Sequence, residues 1–440
     1  MDEIVWYVEW LAWRLPVQLV TRQTLHFRRM LRSVRGNARG LVAYNIYWTT
    51  PASFLGTYLA LFMVEQGLTK IEIGTIVSAQ LVVQMLGALC GGFLAERLGR
   101  VKIITIVDVV CWPLAYACFA LAHGYLAFLA GAILIGAVFT LMPAWTALYV
   151  EGTPPERRTH LFGILQAVWF AGGILSALTG LLVRMWGVTF SCRLIFGCAV
   201  AATAFAVWQR SKHLKETVVP DRPLRVSVSE LRHFLEGHWS AFRILVRRRQ
   251  LAILFLAQVL TASALAVAGT YVNLYLADAR GVALAPASLA LLPLVGGCAV
   301  LLATFLVVPF IAEASAYGFL LVGVGLMASN VIIQLLAPPG AFGMIAMGVL
   351  VGASGWAIFN PSLSGQWQNQ ISDRERPRVL AFCTVLSMLF TMPAPTLAGA
   401  LYTIHPRGPL LMVLCLYSLI GACTLWAAGR AGRTRRPLRA

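Results

Sequence analysis

Twelve apolar stretches of about 20 residues or more succeed one another along this chain, separated by short polar breaks. They lie at 41–64, 73–95, 102–122, 125–150, 161–185 and 188–209, and again at 251–277, 287–311, 315–336, 340–362, 378–402 and 407–429. Each is too long for a barrel strand and none alternates strictly between polar and apolar. Hydrocarbon admits only elements that satisfy their own backbone, so these stretches are expected to be membrane-spanning helices. Composition agrees: 59% of the 440 residues are hydrophobic and only 12% are charged. The expected fold is an all-α membrane protein of twelve transmembrane helices. A net charge of +18 would suit nucleic acid. Its distribution does not, because the basic residues sit between spans and form no continuous phosphate-binding surface.

Basic residues also fix the expected orientation. With the N-terminus cytoplasmic, only Lys70, Arg184, Arg193, Arg280 and Arg407 of the 35 Lys and Arg fall on the outer side. That is the positive-inside pattern for an even number of spans, with both termini cytoplasmic, in a plasma or inner membrane. The chain opens with Asp2 and Glu3, unlike a cleavable signal peptide, so the first span is expected to act as its own insertion signal. Residues 17–35 and 228–245 alternate arginines with apolar residues and suit an anionic cytoplasmic leaflet. Trp6, Tyr7, Trp10 and Trp13 suit the headgroup layer. Nine cysteines lie within or beside apolar stretches, where small packing residues are expected. His213, His233 and His238 lack metal-ligand spacing. No cofactor or metal is expected, and no nucleophile–base pairing points to an enzyme.

The two halves of the chain echo each other. Tyr58-Leu-Ala-Leu-Phe62 ends the first span and Tyr271-Val-Asn-Leu-Tyr275 ends the seventh. Glu156-Arg157 follows the fourth span and Glu375-Arg376 the tenth. Parallel six-span halves imply a substrate site between them near the bilayer midplane. The expected organisation is a basic amphipathic segment at 1–40, a six-helix bundle at 41–209, a cytoplasmic linker at 210–250, a second bundle at 251–429 and a basic tail at 430–440.

After the second span the chain reads Gly92-Phe-Leu-Ala-Glu96-Arg97-Leu-Gly99-Arg100-Val-Lys102. This resembles the signature loop of the major facilitator superfamily, Gly-x-x-x-Asp-Arg-x-Gly-Arg followed by a basic residue. Glu96 stands where Asp is usual, and Val101 delays the last basic residue. Pro143-Ala-Trp145, Asp108 to Trp112 and Lys215-Glu216-Thr217 resemble uncharacterised prokaryotic members of that family. The residues support a gate on their own chemistry as well. Gly99 permits a tight turn. Gly87, Gly91 and Ala95 give one helix face room for close packing. Glu96 is able to accept hydrogen bonds at a helix N-terminus; in the family that terminus is the start of span eleven, here after Pro377. Arg97 and Arg100 are expected to pair with Glu151, with Arg157 nearby. The cluster of Gly92, Glu96, Arg97, Gly99, Arg100, Glu151 and Arg157 is then a latch closing the cytoplasmic side in an outward-open state.

The resemblance implies a secondary transporter working by alternating access, usually as a monomer, whose spans one, four, seven and ten line the cavity. Candidate cavity residues are Asn45, Trp48, Thr49, Trp145, Tyr149, Gln258, Asn273, Trp356 and Asn360. Gln84, Gln166 and Trp169 on spans two and five join them. Amides, hydroxyls and large rings suit a small neutral or amphipathic solute, although any one of them serves equally as glue between helices. Asp108, inside span three, is the one acid considered for protonation, with partnership to the basic loop at 97–102 as the alternative. Drug–proton antiporters of the family carry an Arg within span four and a Gly-Pro pair in span five. Residues 129–140 have no base, and Gly172, Gly173 and Gly180 come without proline. A drug or lipid exporter is therefore the second reading, and a transporter-like sensor the remote one.

Overall fold

The computed structural model describes residues 36–151, 164–165, 168–169, 171–175, 177–216, 239–306, 316–371 and 375–434. Gln166, Arg157, the expected amphipathic segment 17–35 and residues 228–238 of the one at 228–245 lie outside them, while 239–247 are helical. Regular structure among the described residues is entirely helical. Ten of the helices are long and apolar enough to cross a membrane. The helix Ile46–Glu65 is the first span, and the fifth, described in part, runs into the sixth within Thr179–Ser211. That run breaks at Gly187, whose φ of 76° only glycine adopts freely, between the fifth and sixth apolar stretches. The fold is the expected twelve-helix one, with spans one to six packed together and seven to twelve likewise.

Local chemistry explains the helix ends. Thr69 and Glu72 form a capping box at the start of span two, each bonding the other's backbone N–H. Several boundaries differ from the apolar limits. The first span begins at Ile46, because Tyr44 and Asn45 form a turn after a short helix, Gly36–Ala43. Spans six and twelve continue to Ser211 and Thr434, past their apolar ends, since nothing there breaks a helix. Span four is three pieces: Tyr125–Ala137, a 3-10 turn Val138–Leu141, and Met142–Val150 with Pro143 in its first turn. Span eleven divides at Met392 into Arg376–Thr391 and Pro393–Ile404, before Pro393 and Pro395.

Small residues set the close crossings, as expected between helices in lipid. A Cβ on Gly87 would lie 2.8 Å from Thr140 Oγ1, and one on Gly91 would collide with the Thr140 carbonyl. The tight turn of span four thus seats on the small face of span two. In the second half, Gly323 meets Phe359 and Gly352 meets Asn330 where spans nine and ten cross. Phe54, Tyr58, Phe62, Tyr116, Phe119, Phe128 and Phe196 fill the first half with fully buried rings.

Candidate functional site

The bundle has a basic end, where residues 210–216, residues 239–250 and the loop at Leu98–Arg100 lie, and an opposite, far end. Every hydrogen bond between the halves among the described residues lies in the far part. Tyr58 Oη, near the end of span one, donates to Pro286 O at the start of span eight, 2.9 Å away. Tyr271 Oη, near the end of span seven, is 2.8 Å from Lys70 O at the start of span two and 3.0 Å from Pro395 O. Asn273 Nδ2 reaches Thr57 O at 3.2 Å, and Ser78 meets Thr396, hydroxyl to hydroxyl, at 2.8 Å. Three glycines make this possible. A Cβ on Gly74 would strike Pro395 O, one on Gly399 would lie 2.5 Å from Lys70 O, and one on Gly180 would lie 2.7 Å from Ala287 O.

Below this seal, toward the basic end, lies a cavity of about 430 Å³ between the halves. Leu81 and Gln84 line it from span two, and Phe255, Gln258, Ala262 and Ala266 from span seven. Ser364 and Trp367 contribute from span ten, and Leu380, Cys383, Thr384, Ser387, Met388 and Thr391 from span eleven. None of these side chains is charged. Phe255 stands in the second turn of its helix and Trp367 in the last turn of Phe342–Asn369, so the space runs to the basic end. Two polar atoms in its walls, Trp367 Nε1 and Thr391 Oγ1, are buried without a protein partner.

The sequence candidates divide. Gln84 and Gln258 line the cavity. Asn273 follows Gln258 on one helix face, up to the seal. Trp356 and Asn360 continue the face of Ser364 and Trp367 at helical spacing, half-buried and exposed respectively. Thr49 is glue between helices: fully buried, it bonds Ile46 O and sits against Gly172 of span five. Trp145 stacks on buried Tyr149 at 4.9 Å, away from the cavity lining. Asn45 occupies the turn before span one, and Trp169 is exposed. Span eleven, absent from the sequence candidates, supplies the largest share of the wall. Its signal was present in Thr384, Ser387 and Thr391, three hydroxyls at helical spacing.

At the basic end, Arg100 Nη1 pairs with Glu151 Oε1 at 3.2 Å, as the sequence suggested. Arg97 is buried over the Phe93 ring at 4.9 Å. The helix N-terminus near the loop is capped by a residue the sequence reading did not assign. Glu216 accepts from Arg100 N at 3.0 Å and from Val101 N at 2.9 Å. Gly99 allows it: its φ is 93°, and a Cβ there would lie 2.6 Å from Glu216 Oε2. Glu96 instead is exposed and has no partner among the described residues. Among the described residues it makes no hydrogen bond to span eleven. Gly92 faces open space. In the second half, Arg248 pairs with Glu375 at 3.1 Å.

Asp108 is buried in an ion pair with Arg210, not with the basic loop at 97–102. Arg210, the first residue of the expected linker, instead stands in the last turn of span six, and its side chain is buried in the bundle. Its guanidinium lies 4.6 Å above the Trp48 ring. Trp48 therefore belongs to a buried cluster of spans one, three and six, with Trp48 Nε1 and Arg210 Nε unpartnered.

Comparison with known proteins adds the following. Residues 41–395 match the profile of the Major Facilitator Superfamily. The quinolone resistance protein NorA of Staphylococcus aureus is 26% identical over 136 residues, 30% of this chain and 35% of that protein. The minor myo-inositol transporter IolF of Bacillus subtilis (strain 168) is 28% identical over 169 residues, 35% of this chain and 38% of that protein. The chain thus spans little more than a third of the curated relatives it matches. The crystal structure of nucleoside transporter NupG superposes with a TM-score of 0.67 at 11% identity, covering 91% of this chain and 100% of that one. The POT family transporter PepTSo gives 0.68 at 12%, covering 91% and 99%. Such identities speak for the fold alone.

Proposed function

Because the chain belongs to the major facilitator superfamily, we propose that this membrane transporter moves a small neutral or amphipathic solute by alternating access. The basic end is cytoplasmic on the positive-inside argument, in a plasma or inner membrane, and the structure corresponds to an inward-facing state. One observation carries the substrate class: the described wall of the cavity is amides, hydroxyls, aromatic rings and aliphatic groups, with no charge. An ion entering it would shed water and meet no counter-charge, a cost of several kcal/mol. An uncharged ring-bearing solute would bury apolar area against Phe255 and Trp367 while Gln84, Gln258, Trp367 Nε1 and Thr391 Oγ1 take its polar atoms.

The test uses purified protein in liposomes and a panel of sugars, lipids and dyes, with neutral and ionised analogues matched in size. Neutral members are expected to be carried and to raise the melting temperature in detergent by mass action. Preference for the ionised member of each pair would overturn the reading. Asp108 is held by Arg210, so a proton on it would strand a buried cation. Facilitated diffusion without a proton fits that arrangement, and flux independent of an imposed pH gradient is the matching result. Coupling through Asp108 instead requires gradient-driven flux that Asp108→Asn abolishes.

A second reading, an exporter of drugs or lipids, is favoured by the similarity to NorA. The relatives' names concern quinolone resistance and myo-inositol, so they do not choose one substrate. Flux direction in everted vesicles separates export from uptake.

A further inference from the structure

Tyr58 and Tyr271 occupy the same place in the two echoing segments, Tyr58-Leu-Ala-Leu-Phe62 and Tyr271-Val-Asn-Leu-Tyr275. Each crosses to the other half and meets the backbone carbonyl of a residue that opens a helix there. Tyr58 of span one bonds Pro286 O, the first residue of Pro286–Leu289. Tyr271 of span seven bonds Lys70 O, the first residue of Lys70–Leu98. Exchanging the halves turns one bond into the other. Beside each bond the helices cross on glycine: Gly180 against Ala287 on one side, Gly74 and Gly399 against Pro395 and Lys70 on the other. We propose that these two tyrosine hydroxyls are the paired locks of the far-side gate, gating residues of the transport cycle that hold the inward-facing state.

The chemistry suits a gate that must reopen. Both rings are fully buried, Tyr58 against Phe54 at 4.9 Å and Tyr271 against Tyr402 at 5.9 Å, so each hydroxyl is aimed by packing. When the halves part, water entering from the far side takes the place of Pro286 O at Tyr58, and Tyr271 exchanges Lys70 O for water or for Pro395 O of its own half. The net gain of closure per bond is therefore modest and reversible. A buried ion pair at the same place would resist opening far more strongly. Two bonds on opposite sides of the pseudo-two-fold axis also oppose rocking evenly, whereas a single bond would leave a hinge.

This inference rests on the alternating-access reading, and the experiment separates the two. Thiol labelling is read residue by residue by mass spectrometry in the otherwise unaltered protein. The thiol introduced by Thr384→Cys, an exposed position on the cavity wall, reports the cavity, and the thiol introduced by Ala287→Cys reports the far seal under a membrane-impermeant reagent. Tyr58→Phe and Tyr271→Phe each remove one hydroxyl and keep the ring. Each is expected to raise the ratio of far-side to cavity-thiol labelling rates by about two- to twelve-fold, the range of one net hydrogen bond. The double variant is expected to show the product of the two. Tyr116→Phe removes a buried hydroxyl that has no partner and is expected to change neither rate. Backbone hydrogen exchange at 70–74 and 286–289, without Ala287→Cys, provides a second measurement. Labelling and exchange in the Tyr58, Tyr271 and double variants equal to the parent's, in a parent that alternates, would overturn the locks alone. A far-side thiol unreactive in the parent and in every variant would bring down alternating access, and the locks with it.

Discussion

At the scale of single residues, charge and backbone freedom decide more than polarity. Asp108 and Arg210 are both nearly inaccessible, and each is tolerated only because of the other. Asp108→Asn leaves the guanidinium without a counter-charge and is expected to destabilise the protein by about 3–5 kcal/mol in detergent denaturation. Asp108→Leu combined with Arg210→Met should recover most of that loss, since apolar replacement of a whole buried pair is often neutral. A second variant at this scale is Gly99→Ala. It both strains a positive φ and pushes Glu216 off the start of span three. A loss of about 1–2 kcal/mol, the worth of a cap, is expected in the same assay. Glu216→Gln should also show a loss, because its amide keeps one acceptor oxygen where the carboxylate gives one to each N–H, and it lacks the charge that favours a helix N-terminus.

At the scale of elements, helix crossings and helix faces carry the argument. Spans two and eleven cross at Gly74 and Gly399, where a side chain would meet backbone rather than a movable group. Gly74→Val or Gly399→Val should therefore keep the far seal from closing, read as slower labelling of the thiol introduced by Thr384→Cys, with the melting temperature as a check on folding. The face of Thr384, Ser387 and Thr391 on span eleven looks across at Gln84 and Gln258. Gln84→Leu and Gln258→Leu are each expected to weaken binding of a neutral polar solute about two- to twelve-fold, measured by thermal shift, while leaving apolar dyes little changed. The break of span four into three pieces has a similar local cause. Pro143 opens the last piece, and the 3-10 turn before it lets Thr140 sit on Gly87 and Gly91.

At the scale of the whole molecule, the two ends of the bundle behave oppositely. Where the far end is sealed by bonds between the halves, the end carrying the signature loop has Glu96 exposed. If Glu96 latches the cytoplasmic side in the alternative state, Glu96→Gln should favour the arrangement seen here. The cavity thiol would then label faster and the far-side thiol more slowly, the reverse of the tyrosine variants. Equal rates in Glu96→Gln and the parent would leave Glu96 no part in gating. Tags at both termini and in the 210–250 connector, probed from outside intact cells, check the orientation on which these signs depend; all three are expected to be unreachable.

The number of spans, their class and the family were legible from the chain alone, because the cost of an unsatisfied backbone in hydrocarbon leaves one conformation open to a long apolar stretch. Arg100 and Glu151 were legible as a pair, since each lies at the basic end of a countable helix. What faces the cavity was not. A helix apolar on every side gives no amphipathic signal to orient it, so Trp48 and Thr49 looked like lining and are core, while the hydroxyl face of span eleven went unassigned. Arg210 was misjudged for a related reason: a charge at the edge of an apolar stretch reads as loop until a buried acid on another helix is found opposite it. The repeated tyrosines were visible as letters from the start, but only the packing of one half against the other supplied their carbonyl partners, which are separated from them in sequence wherever the halves meet.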